Sequence, residues 1–380
     1  MSDFQSRVNL TQAPAVEGDL ASANPRSVVL AGPGGFVSGA QGVTVGKFAW
    51  IQPDFKTVDS FASGPVAPDG FVHREQQALI TVFLADASMV IPEGLPVTLH
   101  NTGDFWAKNL GPAALTRGAT VYAGYADGGV YSSAPTGASA TGSIGSTNTA
   151  AIGSTSTGTA VAGDPYQIDL TAVTGKVFVG DSVAGTGIPA NAQIVSQISG
   201  TANGAGRYQL NVQNTAAAAT ISTFGTTLVV SATTGLISVG DTVSGGAGFP
   251  VGSVVVSQIS GTAGGAGVYQ LSAPATQYVA SATGVTTFGN VLNVSAVASG
   301  TLQLGMPITG TNMPATSIAS QISGSGGGVG VYSLFAPATQ YVASEAFTTD
   351  GGIDSGWKAY PTSAGDGAVG SLVKISTYKQ

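Results

Sequence analysis

One pentapeptide occurs three times in this chain: Ser196-Gln-Ile-Ser-Gly200, Ser257-Gln-Ile-Ser-Gly261 and Ser320-Gln-Ile-Ser-Gly324. A period of about 60 residues commits the chain to a row of like units, since each copy must solve the same packing problem in the same way. The register extends beyond the pentapeptide. Tyr208, Tyr269 and Tyr332 follow at matching distance, Pro189, Pro250 and Pro314 precede it, and Val179-Gly180-Asp181 is matched by Val239-Gly240-Asp241 and by Leu304-Gly305-Met306. The stretch Ala-Pro-Ala-Thr-Gln-Tyr-Val-Ala-Ser is identical at 273–281 and 336–344. Duplication accounts for an identity of that length.

Each unit reads as strands. Leu228, Val230 and Ala232, then Leu292, Val294 and Ala296, alternate with period two and define one face. Gly, Pro and Asn clusters punctuate every few residues, and no helical periodicity competes. The expectation is an all-β chain in which repeats spanning 164–225, 226–288 and 289–349 each form a small sandwich or a barrel-like unit.

Ahead of the repeats, residues 132–163 form a run rich in Gly, Ser, Thr and Ala with no aromatic and no charged residue. They read as a linker, or equally as two weakly patterned strands, Ser139–Ile144 and Thr149–Ile152, paired at an edge. Composition does not separate the two. The first 131 residues differ in kind, with Phe48-Ala-Trp50, Phe71-Val-His73 and Asp104-Phe-Trp106 marking an aromatic core. Their apolar runs, Ala78–Leu84 and Leu95–Leu99, are short and separated by Pro and Gly, which favours strands. The same composition returns after Thr349 with Trp357, Tyr360 and a strand-like Ser371–Thr377. The repeats therefore read as an insertion, and 1–131 plus 350–380 as one domain completed by the C-terminal strand.

Composition narrows the function. The chain has 380 residues, 8% of them charged, a net charge of −7 and a pI near 4.6. Nucleic-acid affinity rests on clustered Lys and Arg, so nucleic acid is not expected as the main partner. The absence of Cys removes disulfides and thiolate metal sites and suits a reducing compartment. Met1–Leu10 has no apolar run behind a basic start, so secretion is not expected. The most apolar stretch, Ala78–Leu99, is interrupted by Asp86, Pro92, Glu93 and Pro96, short of the roughly 20 apolar residues of a spanning helix.

A search for catalytic chemistry ends without a constellation. His73-Arg74-Glu75 is the densest polar triplet, and a His there more often serves as a hydrogen-bonded or interface residue than as a base. His100-Asn-Thr-Gly-Asp104 reads as a turn. Neither His stands at metal-ligand spacing from the other, which leaves calcium on oxygen ligands as the only open metal reading. Asp181 and Asp241 are matched by Met306 at the same position of the third copy, so no activity common to all units depends on that carboxylate, and no spacing singles out a glycosidase-like acidic pair. The Gly-rich segments 261–267 and 324–330 lack the Lys and helix of a phosphate loop and read as hairpin loops. No enzyme activity and no cofactor are expected.

Val43-Thr-Val-Gly-Lys-Phe-Ala-Trp50, Gly70-Phe-Val-His-Arg-Glu-Gln-Gln-Ala-Leu-Ile80, Pro96-Val-Thr-Leu-His100, Gly103-Asp-Phe-Trp106 and Gly370–Thr377 resemble the bacteriophage structural cement protein family. The likeness covers about residues 1–131 and the last thirty. The repeats resemble, more loosely, a module shared among phage virion proteins, fibres included. The resemblance implies a β-barrel or jelly-roll-like body on the outer surface of an icosahedral shell, oligomeric at symmetry axes, with the major capsid protein as partner and no cofactor. A cement protein clamps neighbouring subunits by burying surface across their junctions, and anchors in such interfaces are commonly aromatic or Arg. Trp50, His73, Arg74, Phe105 and Trp106 are the candidate contacts, those that are exposed serving the shell; core packing is the competing role for Trp50 and Trp106. The repeats are expected to project outward as spacers or weakly adhesive surfaces. The alternative is a head or tail fibre whose repeats bind host-surface glycans.

Overall fold

The computed structural model describes residues 15–75, 89–250, 252–363 and 365–378, and among these it contains strands and no helix, an all-β protein. The run Ala78–Leu84 lies outside the described residues. In chain order the first part carries β1 (Ser27–Val28), β2 (Phe36–Ser38), β3 (Val43–Thr44), β4 (Phe48–Ile51), β5 (Thr57–Asp59), β6 (Gly70–Val72), β7 (Val90–Ile91), β8 (Pro96–Val97), β9 (Leu99–Thr102), β10 (Asp104–Lys108), β11 (Thr120–Gly124) and β12 (Val130–Tyr131). One long strand follows, β13 (Ser139–Val161), and then the repeats: β14 (Asp164–Gly175), β15 (Ser182–Gly185), β16 (Ile194–Gly200), β17 (Gly206–Leu210), β18 (Ala219–Gly235), β19 (Thr242–Ser244), β20 (Val255–Gly261), β21 (Gly267–Leu271), β22 (Val279–Ser299), β23 (Ile308–Thr309), β24 (Ile318–Gly324), β25 (Gly330–Leu334) and β26 (Val342–Thr349). The chain closes with β27 (Gly352–Ala359) and β28 (Leu372–Ser376).

The body consists of a seven-stranded sheet in the order β1-β9-β6-β4-β5-β2-β8, a five-stranded sheet in the order β10-β28-β27-β11-β12, and the small pair β3-β7. Its strands are short because turn residues interrupt them, and each presents one or two large side chains inward. Phe48, Trp50, Phe71, Phe105 and Trp357 meet in one cluster, with ring centroids 5.5 Å apart for Phe48–Phe71, 5.2 Å for Phe71–Phe105 and 5.9 Å for Phe105–Trp357. Trp357 arrives from the far side of the repeats, and β28 pairs with β10 throughout its length. The body core therefore needs both ends of the chain.

The run 132–163 is not a linker. Residues 139–161 form a single strand of 23 residues, which would span roughly 75 Å if fully extended. It lies at no edge either, for β13 pairs along its length with β14, β18, β22 and β26, and so touches every repeat. Its small residues are what the position demands. A Cβ on Gly158 would stand 2.4 Å from Ile221 and 2.9 Å from Ile168, so the repeats supply the bulk and the spine must leave room for it.

Glycines at 137, 145 and 153 divide the spine into steps of eight residues. Gly145 and Gly153 have φ of +76° and +80°, and a Cβ at either would lie within 1.9 Å of the Thr287 or Thr223 carbonyl oxygen. Each step serves one unit, in reverse order. Ala138, Ala140 and Ile144 enter the core of the third repeat, Ala150 and Ile152 that of the second, and Gly158 packs into the first. The chain runs out along the spine and folds back upon it unit by unit.

In each unit the pairings return to the strand from which they start. For the first, β13 pairs with β14, β14 with β17, β17 with β16, and β15 with β18, which pairs again with β13. The remaining gap between β15 and β16 is closed by hydrogen bonds from Ile194 N to Asp181 O and from Val183 N to Ala192 O. The second and third units repeat this circuit, with β18 and β22 each shared between neighbours. The period-two face of Leu228/Val230 and Leu292/Val294 points inward, whereas Ala232 and Ala296 are exposed, beyond the point where each strand's inner face is covered.

Candidate interaction surfaces

The internal identities of the repeats have internal causes. In each unit the Gln of the pentapeptide spans its own hairpin: Gln197 Nε2 donates to Thr201 O at 2.6 Å while its Oε1 accepts from Asn203 N at 3.0 Å. Gln258 and Gln321 do the same with Thr262 and Gly264 and with Ser325 and Gly327. The buried Tyr208, Tyr269 and Tyr332 each donate their hydroxyl to the carbonyl of Gly204, Gly265 and Gly328. The Gly-rich segments are hairpin loops tied by these bonds.

Asp181 and Asp241 are also structural. Each accepts a hydrogen bond from the backbone three residues back, Phe178 N at 2.9 Å and Ser238 N at 2.8 Å, so the carboxylate holds the turn. Burial raises both to about pKa 6. In the third unit Met306 fills the place with an apolar side chain, and Thr349 Oγ1 lies 3.5 Å from its sulfur. The cleft between body and third unit, about 480 Å³, carries one carboxylate, Asp127, which is already bonded to Tyr131 and 3.6 Å from Lys47. Among the described residues no group of three His, Cys, Asp or Glu is placed to hold a metal.

The five candidate contacts divide sharply. Trp50 and Phe105 are completely buried in the aromatic core, with Trp50 Nε1 donating to Val66 O at 3.0 Å, so neither can touch a partner. An aromatic in a short strand between two sheets is worth more buried, and every strand of this body is short. His73, Arg74 and Trp106 are half-buried and hold the segment around Gly18 to the body. His73 Nδ1 donates to Gly18 O at 2.7 Å, Trp106 N donates to Asp19 O, and Arg74 Nη1 lies 3.3 Å from Asp19 Oδ1.

The two histidines, distant in sequence, meet. Their ring centroids are 5.5 Å apart at 80°, and both pack against Phe105. Burial, and then the neighbouring His73, lower the pKa of His100, which keeps that ring neutral. Glu75 lies 3.9 Å from His100 Nε2. The pair braces the sheet against Phe105.

Two residues that the sequence reading passed over stand out on the body. Phe55 is 83% exposed and Leu30 is 94% exposed. Phe55 sits in the β4–β5 turn with φ of +58°, a conformation that L-residues with bulky side chains rarely adopt. The turn is fixed by Asp54, whose carboxylate accepts from Lys56 N, Thr57 N and Thr57 Oγ1. A Pro-Asp pair followed by an aromatic, at 53–55, was the available signal: a turn whose tip is apolar.

Residues 4–170 match the family model of the XM1 gp53 minor capsid protein. No curated protein matches the chain. The matched segment takes in the body up to β12, the whole spine and the start of β14. This similarity supports a structural protein of a phage virion, associated with the capsid; it names a minor capsid protein and is no more specific than that.

Proposed function

We propose that the body binds the outside of a phage capsid shell, bridging neighbouring shell subunits and stabilising the lattice, while the three units project from it. One observation carries this reading. The chain leaves the body at Ala138 and returns at Thr349, and these two residues are hydrogen-bonded to each other, Thr349 N to Ala138 O and Ala138 N to Thr349 Oγ1, both at 2.8 Å. The 210 or so intervening residues thus form an out-and-back arm with a single root. The similarity to a minor capsid protein falls on the body and the spine, which is where a capsid contact shared with that family would reside. The neutral Ser, Thr and Gly surface of the arm suits a solvated spacer.

The test is copy number. Particles of the phage that encodes this chain are purified on a gradient and the chain is quantified against the major shell protein. A ratio approaching that of the shell protein supports lattice decoration; a few chains per particle favours a fibre whose units contact host glycans, and absence from particles removes both.

A further inference from the structure

Phe55 and Leu30 flank the same point of the body sheet. Strand β2 runs parallel to β5 with Val37 opposite Thr57, and Val37 N donates to Lys56 O at 3.1 Å, so the turn that carries Phe55 and the loop that leads into β2 enter the same end of this strand pair. On the other flank, Val29 N donates to Leu99 O and Phe36 pairs with Val97. The loop from Leu30 to Gly35 therefore leaves and rejoins the edge of one continuous β8–β9 run around Thr98. The two loops stand at the same end of the sheet, and each lifts one large apolar side chain into solvent.

The opposite end of β5 is taken by the arm. Phe61 stacks on Phe335 of the third unit at a centroid distance of 6.3 Å, and a Cβ on Gly305 would lie 2.3 Å from Tyr125 O and 2.9 Å from Ala62 N. The arm thus packs at the Phe61 end of β5, and the two exposed side chains stand at the Phe55 end. Backbone strain at an exposed aromatic gains nothing for the fold, because Gly would adopt φ of +58° without penalty and would hide no apolar surface from water. The strain is explained if the ring is needed outside the molecule. Both residues also fall within the segment that resembles a minor capsid protein.

We propose that Leu30 and Phe55 are the anchors by which the body seats in an apolar cleft on the outer surface of the capsid shell. This rests on the shell-binding reading above and names the face that performs it. A pair of apolar side chains, one of them on a turn fixed by Asp54, entering a pocket between shell subunits, supplies the desolvated centre that dominates most interfaces. The arm, rooted at the other end of β5, then points away from the lattice.

The experiment uses the full chain and particles depleted of it, with retention measured by co-sedimentation and folding by thermal melting. Wild type, Phe55→Gly, Leu30→Ser, their double variant and Ile322→Ser, an exposed position on the arm, are compared. Phe55→Gly is expected to melt at or above the wild-type temperature, since it relieves φ of +58°. The account expects each anchor variant to bind roughly tenfold or more weakly, the double variant to be retained least, and Ile322→Ser to bind as wild type. Wild-type retention of the double variant, with wild type itself binding, overturns the anchor assignment and leaves shell binding standing. Failure of wild type to bind removes the shell-binding reading and the anchors with it.

Discussion

The hydroxyls of Ser154 and Thr223 lie 2.9 Å apart inside the first unit, and those of Ser146 and Thr287 lie 2.9 Å apart inside the second. The two spine residues are eight apart, each directly after a left-handed Gly, while their partners come from strands of different repeats. The third step has Ala138 in place of the Ser, and what recurs in all three units is the spine glycine itself, Gly137, Gly145 and Gly153 lying against the carbonyls of Thr349, Thr287 and Thr223.

Gly153→Ala is expected to destabilise the arm strongly, by about 3 kcal/mol or more, because the new methyl would meet the Thr223 carbonyl at 1.8 Å in a backbone conformation that already disfavours it. Chemical denaturation should show the arm unfolding early while Trp357 fluorescence, a reporter of the body core, keeps its own midpoint. A variant as stable as wild type would mean that the spine tolerates a different register.

Removing one spine step and one unit together should preserve the fold. A chain lacking 145–152 and 226–289 still joins Gly225 to Asn290 in the relation that Gly289 has to it now, and is expected to melt cooperatively near the wild-type temperature. Lacking 145–152 alone, three units compete for two steps, and the expected result is loss of protection from hydrogen exchange in at least one unit. Equal behaviour of the two deletions would contradict the one-step, one-unit correspondence.

The pH response of the arm follows from its buried carboxylates. Asp181 and Asp241 are raised from 3.8 to about 6 by burial, so the folded chain binds more protons than the unfolded chain between those values. The stability tied to their protonation is present below about pH 4 and is lost as pH rises to about 6. His100 in the body has the opposite sign, because its lowered pKa favours the neutral ring and that contribution fades as pH falls below 6.5. Comparing wild type with the Asp181→Asn, Asp241→Asn double variant isolates the arm. The variant is expected to gain on wild type as pH rises from about 4 to about 6 and to keep that advantage above it; parallel melting profiles would show that the carboxylates are better solvated than their surroundings imply.

Each hairpin tie should be separable. Tyr269→Phe removes a bond to Gly265 O, and Gln258→Ala removes two short ones and a long one to Ser260 O, at about 1 kcal/mol per well-formed bond. Hydrogen exchange of residues 262–266 should rise in both variants with the body unchanged. Faster exchange spread over all three units would indicate that they do not open independently.

The all-β class was legible because period-two alternation and turn residues are local signals. The repeats were legible because the Gln and Tyr ties demand the same side chains in every unit. The spine was not, for a strand whose neighbours provide all the bulk needs only Gly, Ala, Ser and Thr, and that composition is shared with flexible linkers. Its one distinguishing mark is the eight-residue spacing of Gly137, Gly145 and Gly153. The contact candidates fared differently. Trp50 and Phe105 were proposed because large aromatics anchor interfaces, but the same property fills cores, and Phe105 touches Phe71, Trp357 and both histidines. At Phe55 the Pro53-Asp54 pair signals the turn, but the exposure of the ring follows from φ of +58°, which pattern reading does not resolve.

The most direct test of the central claim is a difference map between particles carrying the full chain and particles carrying a chain in which residues 138–349 are replaced by a short bridge. The account predicts that the body density stays on the shell surface and that the density lost lies radially outside it. Lost density lying against the shell or within it, or loss of the body from the particle, would contradict the account.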